Sequence, residues 1–478
     1  MSRLGWAIAL LLPPFELFAA TGEHVDPLAT VILWVTLILL FGVVGRKIAL
    51  RFNQPGVLGE LMMGVLLGNL CYFFGLPLAT LLREGSAIFA IMGEVLKGIP
   101  LADAVTHIIP NTHFANQIID VLGGSSGNEL LKVSYVVDIF SRYGVLFLLF
   151  MVGVESSVTD LKHTGRESFQ VALIGVIAPM ILGFLVTRVL LPELSFHADL
   201  FIGATLSATS VGITANVMKE MNVLRTREAR TILGAAMMDD VLGLIVLAVV
   251  SSLVVRGVVD VLSVGFIICS AILFFTCSVF FGPWLLKKAA NFFSFFEPWE
   301  EKLFVSFMFL MVLSWIATQI NLASIIGAFA AGIIIHDEYF RRSVGSRRNS
   351  LSIQDLLAPL EAILVPLFFM LIGIQVQLES FFDWHVLFLS AALILAAILG
   401  KLVSGLGGAR RDDRLLIGIG MLPRGEVGLV FASIGRSLGV ISDQLFSAVI
   451  LMIVITTLIA PPWLKSRYKN HKDLHVSS

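Results

Sequence analysis

Charge is scarce in this chain. Lys, Arg, Asp and Glu make up 14% of its 478 residues, where an average soluble domain carries about 25%. Cysteine is almost missing: Cys71, Cys269 and Cys277 all sit in apolar runs. That excludes a disulfide-stapled secreted module and gives no zinc-ligand spacing. The net charge of −1 leaves no basic surface of the kind nucleic acid requires. No nucleophile–base pair or phosphate-binding loop appears, so the chain does not read as an enzyme. What remains is apolar. Hydrophobic residues make up 57% of the sequence, and the mean hydropathy is +0.92. Thirteen membrane helices at about 20 residues each would consume roughly 260 residues, close to the whole apolar content. The composition predicts an all-α polytopic membrane protein with no resident cofactor.

Apolar stretches long enough to span predict helices over about 27–50, 56–76, 136–155, 168–191, 199–220, 229–256, 258–286, 301–320, 322–336, 358–378, 384–408, 414–436 and 441–464. The shortest, 322–336, needs its flanks or a locally thin membrane to cross. Alternate loops carry Arg46, Lys47 and Arg51, then Lys162 and Arg166, then Lys219, Arg225, Arg227 and Arg230, and later Lys287, Lys288 and Lys302. Arg341, Arg342, Arg347, Arg348, Arg410, Arg411, Arg414 and the tail's Lys465, Arg467, Lys469 and Lys472 continue the series, giving 23 of the 33 basic residues. The intervening loops 192–198 and 379–385 are poor in Lys and Arg. By the positive-inside rule the first long helix starts outside and the C-terminus, including the tail 465–478, is cytoplasmic. Residues 1–26 read as a secretory signal peptide or a retained extra segment. Arg3 and the small pair Ala19 and Ala20 favour the former, while Glu16, Pro13 and Pro14 make it imperfect. The one sizeable extramembrane piece, 77–135, mixes apolar and polar residues and predicts short amphipathic helices at the outer surface.

Ionisable residues inside a bundle cost about 2.5–3.5 kcal/mol each on insertion scales, so those present are expected to pair or to act. Asp239 and Asp240 lie ten residues into a helix that begins near Ala229. At 1.5 Å per residue that is about 15 Å, the midplane of a ~30 Å core. Adjacent helical residues point about 100° apart, so one carboxylate can face a helix partner while the other faces a cavity. Two carboxylates this close in a low dielectric titrate as a coupled unit. Lys401 is read either as a snorkelling lysine or as a buried ammonium paired with one of these aspartates. Ser207–Val217 interrupts an apolar run with Thr209, Ser210, Gly212, Thr214 and Asn216. That is either a packing face of small residues or a helix that opens onto a cavity. Met421–Gly435 places Pro423, Gly425 and Gly428 around Arg424 and Glu426 in mid-span. A break there would free helix ends whose dipoles bind ions or are balanced by charged side chains, or the two charges pair with each other. If helices 1–6 and 8–13 form halves linked by helix 7, the halves are inverted and both interrupted segments fall in the fifth helix of their half. That is the strongest sequence pointer to a transporter site.

The segments GELMMGVLLGN, LLFMVGVESS, SATSVGITAN, the Asp pair, IIGAFAAGIII, PLFFMLIGIQ and PRGEVGL resemble those of bacterial monovalent cation/proton antiporters of the sodium/hydrogen exchanger-like, Asp-Asp electrogenic type. The resemblance covers nearly all of 27–464. It implies a homodimer in the inner membrane, with a dimer domain of helices 1–3 and 8–10. A six-helix core domain of helices 4–6 and 11–13 would move like an elevator. Helices 5 and 12 would cross at unwound centres. Asp240 would bind the cation and Asp239 would pair with Lys401. Thr209 or Ser210 with nearby carbonyls would complete the oxygen shell, and Glu426 would balance charge at the break. The insert at 77–135 is longer than the family's usual connection. Kef-like potassium-efflux relatives carry a nucleotide-binding domain, which this sequence lacks, and tend to have Gln where Asp239 stands. Regulation of that type is not expected.

The expected activity is exchange of Na+, with Li+ or K+ as alternatives, for protons, in the service of pH homeostasis. Its partners would be the monovalent cation, protons and membrane lipid. The rivals are a Kef-like potassium/proton antiporter, a cation channel, a non-transporting sensor on the same body, and sodium-coupled uptake of an organic anion.

Overall fold

The computed structural model describes residues 27–52, 54–83, 85–109, 112–124, 127–155, 165–221, 223, 226–256, 261–293, 295–320, 322–340 and 351–476. The expected signal segment 1–26 and the basic clusters at 162 and 341–348 lie outside them. The secondary structure is helical throughout, with no strand among the described residues. Among the described residues ten helices are long and apolar enough to cross a membrane.

The chain opens with α1 (Pro27–Arg51) and α2 (Gly56–Phe73). Four short helices follow in the region predicted to lie outside the membrane: α3 (Pro77–Arg83), α4 (Gly85–Leu96), α5 (Leu101–Ile108) and α6 (Thr112–Gly123). Helix α7 (Gly127–Glu155) starts earlier than the expected 136. Leu130, Val133 and Val137 recur at helical spacing and are buried in one cluster with Leu81, Ile91, Val105 and Ile118 of the short helices. Packing on the insert therefore carries the helix beyond its apolar core.

Helix α8 (Arg166–Leu190) leads to a span broken in two, α9 (Phe196–Ser207) and α10 (Val211–Glu220). Next come α11 (Arg227–Arg256), α12 (Val261–Phe292), α13 (Pro298–Gln319) and α14 (Ser324–Ile334). Helix α14 has 11 residues, about 16 Å, too short to cross alone. Every residue from Ile325 to Ile334 is buried, so its ends meet protein rather than lipid, where irregular backbone is tolerated. Helices α15 (Ile353–Ile374) and α16 (Trp384–Ser404) precede a second broken span, α17 (Arg414–Gly420) and α18 (Glu426–Ser437). The last helix, α19 (Asp443–Val476), continues through most of the predicted tail. Its first post-membrane turn is docked: Arg467 Nε donates to Asp413 at 2.8 Å, and Tyr468 is buried.

The helices pack in two sets. In one, α7 lies against α14 and α15, α15 against α2, α2 against α1, and α13 against α14. Close approach between α7 and α14 rests on a glycine pair. A Cβ on Gly332 would come within 2.1 Å of the Phe150 carbonyl, and one on Gly153 within 2.4 Å of the Phe329 carbonyl. Small residues of this kind let membrane helices touch backbone to backbone. In the other set α8 packs on α9, α11 and α16, α16 on α17 and α19, and α18 on α9 and α19.

Ion pairs gather at the two ends. At the basic face Arg227 meets Glu167 and Asp412, Arg46 approaches Glu60, and Lys302 holds Asp337. At the opposite, insert-bearing face, Arg83 of α3 donates to both oxygens of Glu379 at 2.7 and 2.8 Å. There Arg436 of α18 donates to the Arg83 carbonyl and pairs with Asp443.

Candidate functional site

The two broken spans meet at their breaks. Residues Ala208–Ser210 separate α9 from α10, and Met421–Gly425 separate α17 from α18. Pro423 lacks an N–H and pushes its predecessor out of helical geometry, which accounts for the second break. At the first, the backbone groups left without helical partners find them on the other chain segment. The Ser210 N–H donates to the Pro423 carbonyl at 2.8 Å. Thr214 Oγ1 donates to the Gly420 carbonyl at 2.8 Å, and Thr209 Oγ1 reaches the Met421 carbonyl at 3.4 Å. Thr209, Ser210 and Thr214 are all buried. Of the two readings the sequence left for this segment, the broken helix is the one observed.

Arg424 occupies the crossing. Its side chain is fully buried and donates to the Leu206 carbonyl, to that of Ala208 at 3.3 Å and to that of Ala397 at 3.2 Å. The first two belong to the C-terminal end of α9, the negative pole of that half-helix, so a cation there balances its dipole. The Arg424 carbonyl in turn accepts from Thr457 of α19. The terminal guanidinium nitrogens of Arg424 thus go to carbonyls, and the expected alternative, pairing with Glu426, falls on a side chain outside the described residues. Glu426 is the first residue of α18, at the positive pole. Its side chain, and that of Asn216 in α10, lie outside the described residues.

Asp239 and Asp240 lie in α11 and are both buried. Asp239 faces α16, where Lys401 Nζ donates to its Oδ1 at 3.2 Å and its Oδ2 at 3.3 Å. Lys401 has no exposed surface, so it is the buried ammonium and not a snorkelling lysine. Helix α8 forms the third wall. A Cβ on Gly175 would lie 3.6 Å from Lys401 Nζ and 3.8 Å from Asp239 Oδ1. One on Gly400, next to Lys401, would come within 2.6 Å of Pro179 Cα. Glycine at 400 is therefore what lets α16 approach α8 closely enough to seat the pair. Asp240 is the next residue along α11, turned about 100° away from Asp239.

Two carboxylates, one ammonium and one guanidinium thus share a buried centre whose formal charges sum to zero. Burying charge is tolerable when it is paired in this way. The structure brings together Asp239, Asp240, Lys401 and Arg424 beside Thr209 and Ser210. Sequence reasoning did not pick out Gly175, Gly400 or Thr457. Their contacts are with backbone, or act through the absence of a side chain, and neither leaves a residue-type signature. Thr214 stood in the noted segment without being assigned a role.

Comparison with known proteins fits this geometry. The profile of the family described as sodium/hydrogen exchanger, transmembrane, matches residues 35–466. The chain is 34% identical over 477 residues to the high-affinity Na+/H+ antiporter NhaS3 of Synechocystis, covering 97% of this chain and 96% of that one. It is 28% identical to the Na+/H+–K+ antiporter GerN of Bacillus cereus, over 90% of this chain and 94% of that one. Its fold matches the sodium proton antiporter MjNhaP1 of Methanocaldococcus jannaschii with a TM-score of 0.54, at 17% identity, across 93% of this chain and 97% of that one.

Proposed function

Since the chain belongs to the transmembrane sodium/hydrogen exchanger family, a family of multi-pass cation/proton antiporters, we propose that it exchanges cytoplasmic Na+ for external protons at Asp240. The observation that carries this reading is the buried Asp239–Lys401 pair beside Asp240 at the crossing of two broken helices.

Coupling follows from occupancy of one site. A carboxylate in a water-poor centre holds either a desolvated cation or a proton, and each excludes the other. With Asp240 protonated, the four-charge centre carries one positive charge. Replacing that proton by Na+ leaves the charge unchanged, a one-for-one exchange. If Lys401 also releases its proton on cation binding, the centre returns to neutrality and two protons move per cation. Transport is then electrogenic, and the membrane potential contributes about 2.3 kcal/mol per net charge per 100 mV. Thr209, Ser210 and the carbonyls of the broken segments supply neutral oxygen ligands to the cation. Arg424 keeps the α9 dipole balanced whichever substrate is bound.

In the elevator reading, the set built on α8, α9 with α10, α11, α16, α17 with α18, and α19 moves against the set built on α1, α2, α7, α13, α14 and α15, the latter forming the dimer contact. The protein resides in the plasma membrane with its basic face cytoplasmic. Li+ and K+ stand as alternative cargoes, K+ because GerN carries that ion in its name. The direct test is proton release. Adding NaCl to weakly buffered, detergent-solubilised protein acidifies the medium, and Asp240→Asn abolishes the response. Proton release that persists in Asp240→Asn places the exchange elsewhere.

A further inference from the structure

A second ionisable pair lies within the membrane-spanning helices and away from the Asp240 centre. Asp138 of α7 is buried, and its Oδ2 accepts from Arg142 Nε at 2.7 Å. Both line a cavity of about 240 Å³, room for at least eight waters at ~30 Å³ each. A hydrated monovalent cation fits such a space.

The position of this cavity gives it meaning. One wall is the α7/α14/α15 set, which supplies Asp138, Arg142 and Gln375; the other is α18, which supplies Ser433 and Ser437. It therefore lies on the boundary between the two helix sets. Gln375 follows the last residue of α15 and Ser437 is the last of α18, both at the insert-bearing face. The cavity thus belongs to that half of the membrane. Val430 and Phe368 form its inner lining, and the next residue, Phe431, would touch a Cβ placed on Gly243, one turn from Asp239 and Asp240. The polar mouth is separated from the Asp240 centre by an apolar layer.

Asp138 and Arg142 are the charged residues lining the cavity. That carboxylate, with amide and hydroxyl oxygens around it, can offer a cation oxygen ligands in place of its guanidinium partner. The guanidinium beside it limits how tightly a cation is held, so that the cation can move on. Resting on the exchange reading above, we propose that Asp138 is the entry carboxylate of this insert-face mouth, a transient ligand for a monovalent cation passing from that side.

The test compares cation-dependent proton flux in everted and right-side-out membrane vesicles, which present NaCl to the basic face and to the insert face respectively. Asp138→Asn is expected to raise KM for Na+ about tenfold at the insert face. Its KM at the basic face and its kcat stay within twofold of wild type, and Asp138→Glu restores the insert-face KM. Arg142→Gln lowers the insert-face KM. The double variant Asp138→Asn/Arg142→Gln, which leaves no lone buried charge, raises it again. A merely structural role would shift both faces together or lower kcat alone. Either result overturns the proposal, as does a double variant with wild-type KM. If wild type shows no cation-dependent proton flux from either face, the exchange reading falls as well. If wild type is active and the Asp138 variants match it, only Asp138 loses its role.

Discussion

At the scale of residues, the centre is a charge balance. Asp239 and Lys401 are each at most 1% exposed at the side chain, so neither can lose its partner cheaply. Lys401→Ala leaves a buried carboxylate without its ammonium, and breaking such a pair costs about 3–5 kcal/mol. The expected outcome is a large fall in the unfolding temperature in detergent. Most of it is recovered in Lys401→Ala/Asp239→Ala, where no lone charge remains. In the proposed exchange Asp240 behaves differently, because there it changes partners. Protons compete with the cation there, so the apparent KM for Na+ rises as pH falls, by roughly tenfold per unit once the proton-bound form predominates. Flux measured at a series of Na+ concentrations and pH values checks this, and a fall in kcat with a constant KM contradicts it. The aspartates were legible in the sequence because carboxylates in mid-span are expensive. Which of the two would face lysine was not, since composition does not set a rotation angle, and that assignment rested on family resemblance.

At the scale of elements, the breaks in the two crossed spans do the positioning. Pro423 pointed to one break in the sequence, and the run of small and hydroxylated residues at 207–217 fitted the other as well as a packing face. The partners that hold them open were hidden, because they are carbonyls: Leu206, Ala208 and Ala397 for Arg424, and Gly420 for Thr214. A lysine cannot span three carbonyls as a planar guanidinium does. Arg424→Lys is therefore expected to keep the protein folded at reduced stability while lowering exchange at least tenfold, read as flux per correctly reconstituted protein. Wild-type flux in that variant would show that charge alone, and not the fork geometry, is required at the crossing. The short helix α14 makes a related point. Its sequence, IIGAFAAGIII, reads as a weak membrane span, yet it is buried on all sides, a property that hydropathy cannot separate from spanning.

At the scale of the whole molecule, an alternating pattern of apolar runs and basic loops was enough to read the fold class. The extent of the helices was less legible. Helix α7 starts nine residues early because the insert packs on it, and α19 runs on because Arg467 and Tyr468 find partners on neighbouring loops. Those are tertiary causes that no single apolar run encodes. The two helix sets meet along a seam with the charged centre in one set and the Asp138 pair on the other. At the insert face Arg83 bridges toward both Glu379 and α18.

An exchanger must convert a cation gradient into proton movement through this one centre. The measurement closest to that claim uses proteoliposomes holding a pH-sensitive dye and an imposed proton gradient, challenged in turn with NaCl, LiCl, KCl and choline chloride. Wild type is predicted to dissipate the gradient with Na+ and not with choline, and Asp240→Asn, folded and reconstituted equally well, is predicted to give no response. A gradient untouched by every cation, or dissipated as fully by Asp240→Asn as by wild type, would contradict the account.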